Sequence, residues 1–307
     1  ADPLLSLVDT AFIGRVSRDA LSGLGVAAAV FAVAFFLFNF LEYGTTAEVA
    51  RAVGAGETSA AGRATVTSMA LGVAFGLLVT AILAFGAGPM AGAMGAEGVV
   101  RAETVSYLMI RAFAAPAVLI VRAAHGAFRG YQDTKTPFIA ALGINGINLV
   151  LDPLLIFGLD MGIAGAAWAT LIAQWIGAGV FVALLLRDRT QYGLVGARPV
   201  FREVRSFLRG GRDLAIRSGS LLATFTLATA VAARVSEDSV AAHQVLSQVF
   251  IFLAFAVDAL AIAAQALVGK FRGGGDKGQL AAVAVRLLVI GVVVGMAFAV
   301  LLVLLEP

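Results

Sequence analysis

Apolar runs of roughly 20 residues recur along the whole chain, and this pattern limits the folds open to it. Each run is long enough to cross a hydrocarbon layer of about 30 Å as a helix. In lipid the backbone must satisfy its own hydrogen bonds, as helices or as a closed barrel whose strands alternate over about 10 residues. The runs here are longer and more uniformly apolar than barrel strands. The sequence therefore predicts an all-α polytopic membrane protein.

The composition excludes several functional classes. Of 307 residues, 60% are hydrophobic and only 13% are charged. Cysteine is absent, which excludes disulfides, thiolate catalysis and cysteine-ligated metals. The formal net charge of +3 comes from arginines in short connections, which fits orientation in a membrane better than nucleic-acid binding. We find no Walker loop, Rossmann fingerprint, zinc motif or nucleophile–base arrangement. We therefore expect no enzyme, no resident cofactor, no metal site and no ATP-driven pump.

The apolar runs and turn residues divide the chain into nine predicted spans. They lie at about 3–14 (partial), 22–50, 62–88, 100–128, 136–158, 163–187, 211–233, 239–269 and 281–305. The stretch 188–210 is rich in arginine and reads as a basic linker between an N-lobe, 1–187, and a partial C-lobe, 211–307. The positive-inside rule makes this linker cytoplasmic and puts the basic connections 51–61, 129–136 and 270–280 on the same side.

The sequence also repeats itself at a shift of 219 residues, which carries position 15 to position 234. Arg15-Val16-Ser17-Arg18-Asp19 falls on Arg234-Val235-Ser236-Glu237-Asp238, and Gly54-Ala55-Gly56-Glu57 falls on Gly273-Gly274-Gly275-Asp276. Internal symmetry of this kind is typical of transporters. The shift passes over six predicted spans, an even number, so the two copies are parallel repeats. We therefore expect the chain to be part of a protein of about twelve helices.

Five carboxylates lie inside predicted spans, and they point to a cation path. They are Asp9, Glu42, Glu48, Asp152 and Asp258. A charge at bilayer depth is costly, so it usually faces a bundle interior or a wet cavity and marks a substrate or ion pathway. Glu48 is the exception, because Arg51 follows three residues later and predicts an ion pair at a helix end.

The strongest candidate is Asp152, together with Asn148. The two residues are four apart, so on a helix they share a face, and Pro153 weakens the backbone ladder beside them. The alternative is an Asn–Asp contact that serves structure alone. Asp9 is the only acid in its apolar segment, where burial and a nearby cation would act in opposite directions on its ionisation. Glu42 and Asp258 are weaker candidates, for the substrate cavity.

Several strings resemble the multidrug and toxic compound extrusion (MATE) family, and most of all its DinF-like branch. They include Val8-Asp9-Thr10-Ala11-Phe12-Ile13-Gly14-Arg15, Tyr43-Gly44-Thr45-Thr46-Ala47, Arg129-Gly130-Tyr131-Gln132-Asp133-Thr134-Lys135-Thr136-Pro137, Asn148 to Pro153, and Ala241-Ala242-His243-Gln244-Val245. The resemblance implies two six-helix lobes in a V around a central cavity that faces each side in turn. It also implies a proton or sodium site in the N-lobe at Asp9, Tyr107, Asn148, Asp152 and Thr170. Tyr107 and Thr170 enter through the resemblance alone.

The resulting hypothesis is a monomeric multi-pass exporter in a bacterial inner membrane. It would exchange H⁺ or Na⁺ for organic compounds, foremost cationic ones, and carboxylate, amide and hydroxyl oxygens suit either ion. The first rival is a lipid-linked oligosaccharide flippase of the same superfamily, which would need a basic cavity built from Arg111, Arg122 and Arg217. The second is a scaffold or receptor that transports nothing. Arg111 and Arg217 together in the cavity wall would favour the flippase.

Overall fold

The protein is an all-α bundle over the residues that its structure describes. The computed structural model describes residues 9–304, except for the side chains of Phe36 and of scattered positions between 201 and 256. Within that range there are helices and short connections and no β-strand. Residues 1–8, which include the first six residues of the span predicted at 3–14, lie outside the described residues.

The helices follow one another with short connections throughout. They are α1 (9–13), α2 (Arg18–Phe36), α3 (Asn39–Gly54), α4 (Thr58–Ala93), α5 (Gly98–Ala112), α6 (Ala115–Gly130), α7 (Lys135–Pro153) with a π-helical turn at Leu154–Gly158, α8 (Gly162–Arg187), α9 (Phe201–Val235), α10 (Glu237–Gly273) and α11 (Lys277–Leu304). Six of the described helical stretches are long and apolar enough to cross a membrane, or seven when α5 and α6 count as one bent span. The predicted span at 211–233 is not among them.

Two predicted spans are interrupted. The span predicted at 22–50 breaks at Leu37 and Phe38, between α2 and α3. The span predicted at 100–128 bends by 53° between α5 and α6. At this second break, Thr80 Oγ1 donates to the carbonyl of Ala112 at 2.7 Å, and Trp175 Nε1 donates to the carbonyl of Phe113 at 3.0 Å. Neighbouring helices thus satisfy carbonyls that would otherwise be exposed to lipid.

Glycines set the closest helix contacts in the first half. A Cβ added at Gly126 of α6 would overlap the carbonyl oxygen of Glu42 on α3, and one at Gly76 of α4 would overlap the backbone of Pro116 on α6. Small residues allow such close approach in membrane bundles. A Cβ added at Gly44 would lie 3.0 Å from the Phe207 ring, whereas one added at Gly143 would meet no atom within 4 Å.

The predicted linker is only partly a connection. Residues 188–200 form turns and coil, whereas 201–210 already belong to α9, so this helix begins ten residues before the predicted span. The connection is fixed to the first half, because the Val200 amide donates to Thr67 Oγ1 at 3.2 Å and Tyr131 Oη donates to the Tyr192 carbonyl at 2.7 Å. Burial raises the pKa of Tyr131 to about 12, so this hydroxyl keeps its proton.

The basic connections meet at one end of the bundle. Gln132, between α6 and α7, donates to the carbonyl of Ala266 near the end of α10 at 3.2 Å. Gly54, at the end of α3, lies against the backbone of Lys270. We call this end, which carries connections 51–61, 129–136, 188–200 and 270–280, the basic side. The clustering agrees with the positive-inside prediction that these connections share one side.

Candidate functional site: a buried carboxylate pair at a cavity

Asn148 and Asp152 share one face of α7, as their spacing predicts. Both are buried, with 3% and 0% of their surfaces exposed, and Asn148 Nδ2 donates to Asp152 Oδ1 at 3.3 Å. The helix continues through Pro153 and then widens into the π-helical turn, in which the Leu159 amide bonds to the carbonyl of Leu154. Such turns are frequent at functional sites. Pro153 was expected to weaken the local ladder, but the π geometry was not predicted.

Thr170 of α8 lies next to this pair. Its hydroxyl donates to the carbonyl of Ala166, one turn earlier, at 3.1 Å, and its oxygen lies 3.5 Å from Asn148 Nδ2. The resemblance brought Thr170 into the predicted site, and α7 packing on α8 brings it there in space. The amide of Asn148 is therefore shared between a carboxylate and a hydroxyl.

Asp9 completes a pair of facing carboxyl groups. It is 8% exposed, and its side chain lies within hydrogen-bonding range of the side chain of Asp152. Asp9 Oδ1 and Asp152 Oδ2 are buried and receive no hydrogen bond from the described protein atoms. Two carboxylates so close repel each other when both are ionised and lack a donor between them. A proton or a hard cation between the two carboxyl groups would relieve this repulsion.

Tyr107 and Arg111, one turn apart on α5, form the neighbouring wall. Arg111 Nη1 donates to Tyr107 Oη at 2.9 Å, and the guanidinium lies 4.8 Å from the centre of the Phe31 ring. Arg111 also interacts electrostatically with Asp9 and Asp152. From the sequence, Arg111 was proposed only as a residue of a flippase cavity, and its electrostatic interaction with Asp9 and Asp152 was not predicted. Arg111 is four residues from Tyr107, and this spacing could have predicted that the two side chains share one face of α5.

These residues border one cavity of about 260 Å³. Its lining includes Asp9, Tyr107, Arg111, Arg122, Asn148 and Thr170, with apolar residues from α2 and α6. Asp152 lies directly behind this wall, fully buried. The fold thus brings together all five predicted coupling residues, from α1, α5, α7 and α8. Their role in coupling remains a prediction.

Glu42 and Asp258, the two candidates for the substrate cavity, lie elsewhere. Glu42 forms ion pairs with Arg129 and, at 3.9 Å, with Arg122, and so joins α3 to α6. Asp258 is exposed on α10 and interacts electrostatically with Tyr43. Neither lines the described cavity. The predicted terminal ion pair of Glu48 with Arg51 is confirmed, at 3.0 Å.

The arginine arrangement that would favour a flippase is not met. Arg111 lines the cavity, but Arg217 is exposed on α9 and does not. Arg122 also lines the cavity, where it donates to Asn39 Oδ1 and pairs with Glu42. Both cavity arginines are therefore held by partners within the protein. Among the described residues, no group of three or more His, Cys, Asp or Glu side chains is arranged to hold a metal.

The fold and site define a polytopic α-helical membrane protein with internal parallel repeats, the class to which many secondary transporters belong. Its sequence matches the MatE family over residues 2–154 and 218–307, and the chain belongs to this family. Members of the family are transporters rather than enzymes.

Curated relatives agree with this assignment, and a solved structure shares the fold. The chain is 35% identical to Protein DETOXIFICATION 44, chloroplastic, of Arabidopsis thaliana, covering 100% of this chain and 61% of that protein. It is 32% identical to DNA damage-inducible protein F of Escherichia coli, covering 91% of this chain and 61% of that protein. A crystal structure of MATE in the bent conformation matches with a TM-score of 0.86 at 22% identity, covering 96% of this chain and 67% of that one. The chain thus spans about three fifths of the length of these curated relatives.

Proposed function

We propose that the protein is a secondary active exporter that exchanges H⁺ or Na⁺ for organic compounds, foremost cationic ones, by alternating access. The observation that carries the proposal is the buried Asp9–Asp152 pair, whose oxygens Oδ1 and Oδ2 lack donors, at the wall of a cavity. An intramembrane acid pair of this kind is expensive to maintain without a function.

The proposed exchange rests on competition for the same negative charge. With both acids ionised, the cavity wall attracts a lipophilic cation to Asp9. A proton shared between the two carboxyl groups, or a sodium ion held by oxygens of Asp9, Asn148, Asp152 and Thr170, cancels that charge. Hard cations prefer oxygen ligands, and all four side chains supply them. Arg111 adds a fixed positive charge, so the protonated wall repels a cationic substrate and favours its release.

We propose a monomer with its basic side in the cytoplasm of a bacterial inner membrane, as the basic connections favour. DNA damage-inducible protein F is a bacterial relative, whereas DETOXIFICATION 44 is named as chloroplastic. The flippase alternative is less favoured, because Arg217 lies away from the cavity and Arg111 and Arg122 are engaged.

The test uses everted membrane vesicles that contain the full-length protein. A pH gradient is imposed, a lipophilic cation is added, and the collapse of the gradient is followed with and without sodium. We expect collapse with the unaltered protein and a loss of about 10- to 100-fold in rate with Asp9→Asn or Asp152→Asn, the range expected when a charged hydrogen-bonding partner is removed. A sodium gradient is imposed in a parallel experiment, and accumulation of the cation that needs this gradient and not the pH gradient would identify Na⁺ as the coupling ion.

Asp19→Asn is the matched control, because Asp19 is exposed in the first turn of α2, outside the cavity lining. It should leave the rate unchanged. The absence of collapse under either gradient, across several cations, would contradict the exporter and bring the flippase forward. An unchanged rate in both site variants would separate the acid pair from coupling.

A further inference from the structure

Three residues of α6 share the face that this helix turns toward α3. Arg122, Gly126 and Arg129 are spaced by four and three residues, so they lie on one side of the helix. A Cβ added at Gly126 would lie 2.4 Å from the carbonyl oxygen of Glu42, so the two helices approach closely at this level. The absence of a side chain at Gly126 lets both arginines reach the same carboxylate on α3.

That carboxylate, Glu42, is held between the two arginines. Arg129 Nη1 donates to Glu42 Oε1, and Arg122 Nη1 lies 3.9 Å from Glu42 Oε2. Arg122 Nη1 also donates to Oδ1 of Asn39, the first residue of α3 after the break at 37–38. The three charged side chains keep between 16% and 27% of their surfaces exposed. Solvent ions therefore screen these charges less than they would screen a surface pair.

Arg122 reaches the cavity, whereas the residues that hold it do not. Arg122 lines the cavity with Asp9 and Arg111, and neither Glu42, Asn39 nor Arg129 is part of the described lining. A bound molecule therefore meets the guanidinium of Arg122 with a carboxylate 3.9 Å away on the other side. Because electrostatic potentials add, this carboxylate lowers the positive potential that Arg122 projects into the cavity.

We propose that Glu42 is a positioning residue that sets the charge preference of the cavity by acting on Arg122. This inference rests on the proposed export of organic cations and concerns how the cavity favours them over anions. With Glu42 ionised, the charge of Arg122 is balanced. The ionised acids Asp9 and Asp152 then exceed Arg111 by one negative charge, and the wall attracts a cation. Without the charge of Glu42, Arg122 adds a second positive charge and this excess disappears.

The test compares two ions of nearly the same size and shape and of opposite charge. Binding of tetraphenylphosphonium and of tetraphenylborate to the full-length protein in detergent is measured by equilibrium dialysis. The readout is the ratio of the two dissociation constants, because partition into the micelle is common to all variants and cancels between them. A unit charge acting over about 10 Å at an effective dielectric constant of about 20 changes each constant by roughly tenfold.

Glu42→Gln is the first variant. We expect it to weaken binding of the cation and to strengthen binding of the anion, so that the ratio moves by roughly 100-fold toward the anion. Arg122→Gln should move the ratio the opposite way, while Glu42 keeps its pair with Arg129. The test therefore does not depend on the folding of Glu42→Gln alone.

The double variant of Glu42→Gln with Arg122→Gln separates this effect from a loss of packing. It removes one charge of each sign, and Arg122 lies nearer the cavity than Glu42 does. The double variant should therefore at least reverse the shift that Glu42→Gln produces alone. A purely structural role of Glu42 predicts no such reversal, because the second substitution removes a further contact between α3 and α6.

Glu48→Gln is the matched control, because Glu48 lies six residues further along α3 and pairs with Arg51 at the basic side. It should leave the ratio unchanged. The proposal is overturned when Glu42→Gln, monodisperse in detergent, binds the two ions in the original ratio, or when Arg122→Gln shifts the ratio in the same direction as Glu42→Gln.

Gradient collapse in everted vesicles, measured in parallel, distinguishes this inference from the exporter function. The expected shifts in a protein that exchanges no cation would support the role of Glu42 and count against the exporter. Exchange by the unaltered protein, with one ratio for all variants, would overturn the role of Glu42 and leave the exporter standing.

Discussion

The two copies of the internal repeat agree in their backbone and differ in their chemistry. Helix starts and turns coincide between the first copy, α2 to α4, and the second, α10 to α11, and each copy has a glycine of positive φ, Gly56 or Gly275, in the turn before its last helix. The polar residues do not coincide, since Asn39, Glu42 and Glu48 of the first copy correspond to Asp258, Ala261 and Leu267 of the second. The break at 37–38 also has no counterpart, because α10 runs unbroken through 256–257.

This difference shows that the two copies of the repeat share their turn geometry and not the polar residues of their spans. The turn after α3 and the turn after α10 lie against each other, because Gly54 contacts the backbone of Lys270 and Gly273 contacts the backbone of Arg51. Each turn must therefore keep the shape that fits the other. The span interiors are free to diverge, and the cavity of the described residues draws its polar lining from the first half. The comparison predicts that matched substitutions in the two copies will have unequal effects.

The largest difference in stability is expected for a pair of matched glycines on α4 and α11. Gly76 and Gly295 correspond under the repeat, yet a Cβ would overlap Pro116 at the first and meet no atom within 4 Å at the second. Gly76→Ala should lower the free energy of unfolding by about 1–3 kcal/mol through overpacking. Gly295→Ala should be neutral or stabilising by up to about 1 kcal/mol, since alanine favours helix.

Thermal unfolding of the 307-residue chain in detergent, followed by circular dichroism, measures both glycine variants. Equal shifts in the midpoint would contradict the asymmetry of packing between the copies.

A smaller difference is expected between Glu42 and Asp258. Glu42→Gln removes the charge that pairs with Arg129 and Arg122 between α3 and α6, at a site that is only 16% exposed. We expect a loss of about 1–3 kcal/mol, because two partly buried arginines are left with unmatched charges. Asp258→Asn, exposed on α10, should remain within about 0.5 kcal/mol. A loss at Asp258 as large as at Glu42 would reveal a partner that the described structure lacks.

The smallest effect is expected when the first copy receives a residue of the second. Glu48→Leu installs the side chain of Leu267 and removes the exposed ion pair with Arg51. Such pairs contribute about 0–1 kcal/mol, so the unfolding midpoint should barely move. Thermal unfolding is measured at low salt and at 1 M salt. If the ion pair stabilised the unaltered protein, salt would screen it and lower the unfolding midpoint of that protein but not of the variant.

The sequence predicts the bundle well because hydrophobic length is a direct consequence of the bilayer. The long spans α4, α8 and α11 begin and end within about five residues of their predicted limits. The repeat predicts even the matching ends of α3 and α10. Apolarity carries no information on where a helix bends within lipid, so the breaks at 37–38 and 113–114 were missed. Residues 201–210 were predicted to be linker because of their arginines, although they form the first turns of α9.

The site was predictable in its acids and less so in its surroundings. Asp9 and Asp152 stand out because a charge in an apolar run is conspicuous, and Asn148 follows from helical spacing. Thr170 and Tyr107 do not stand out, because a hydroxyl in a membrane helix usually bonds its own backbone, as Thr170 also does here. The interaction of Arg111 with Asp9 and Asp152 was not predicted, because it depends on how α1, α5 and α7 pack together. Glu42 looked like a cavity acid because the sequence gives no sign of its pairing with Arg129.

The hydrogen bond at the break between α5 and α6 gives the protein an optical signal of its own. The chain has two tryptophans, Trp168 and Trp175, both on α8, and the indole of Trp175 is hydrogen-bonded to the carbonyl beside the bend. Thr170, next to Asn148 and Asp152, stands between the two indoles in sequence. Any movement of α8 relative to the bend changes the polarity around Trp175. Intrinsic fluorescence can therefore follow a movement at this bend without an attached dye.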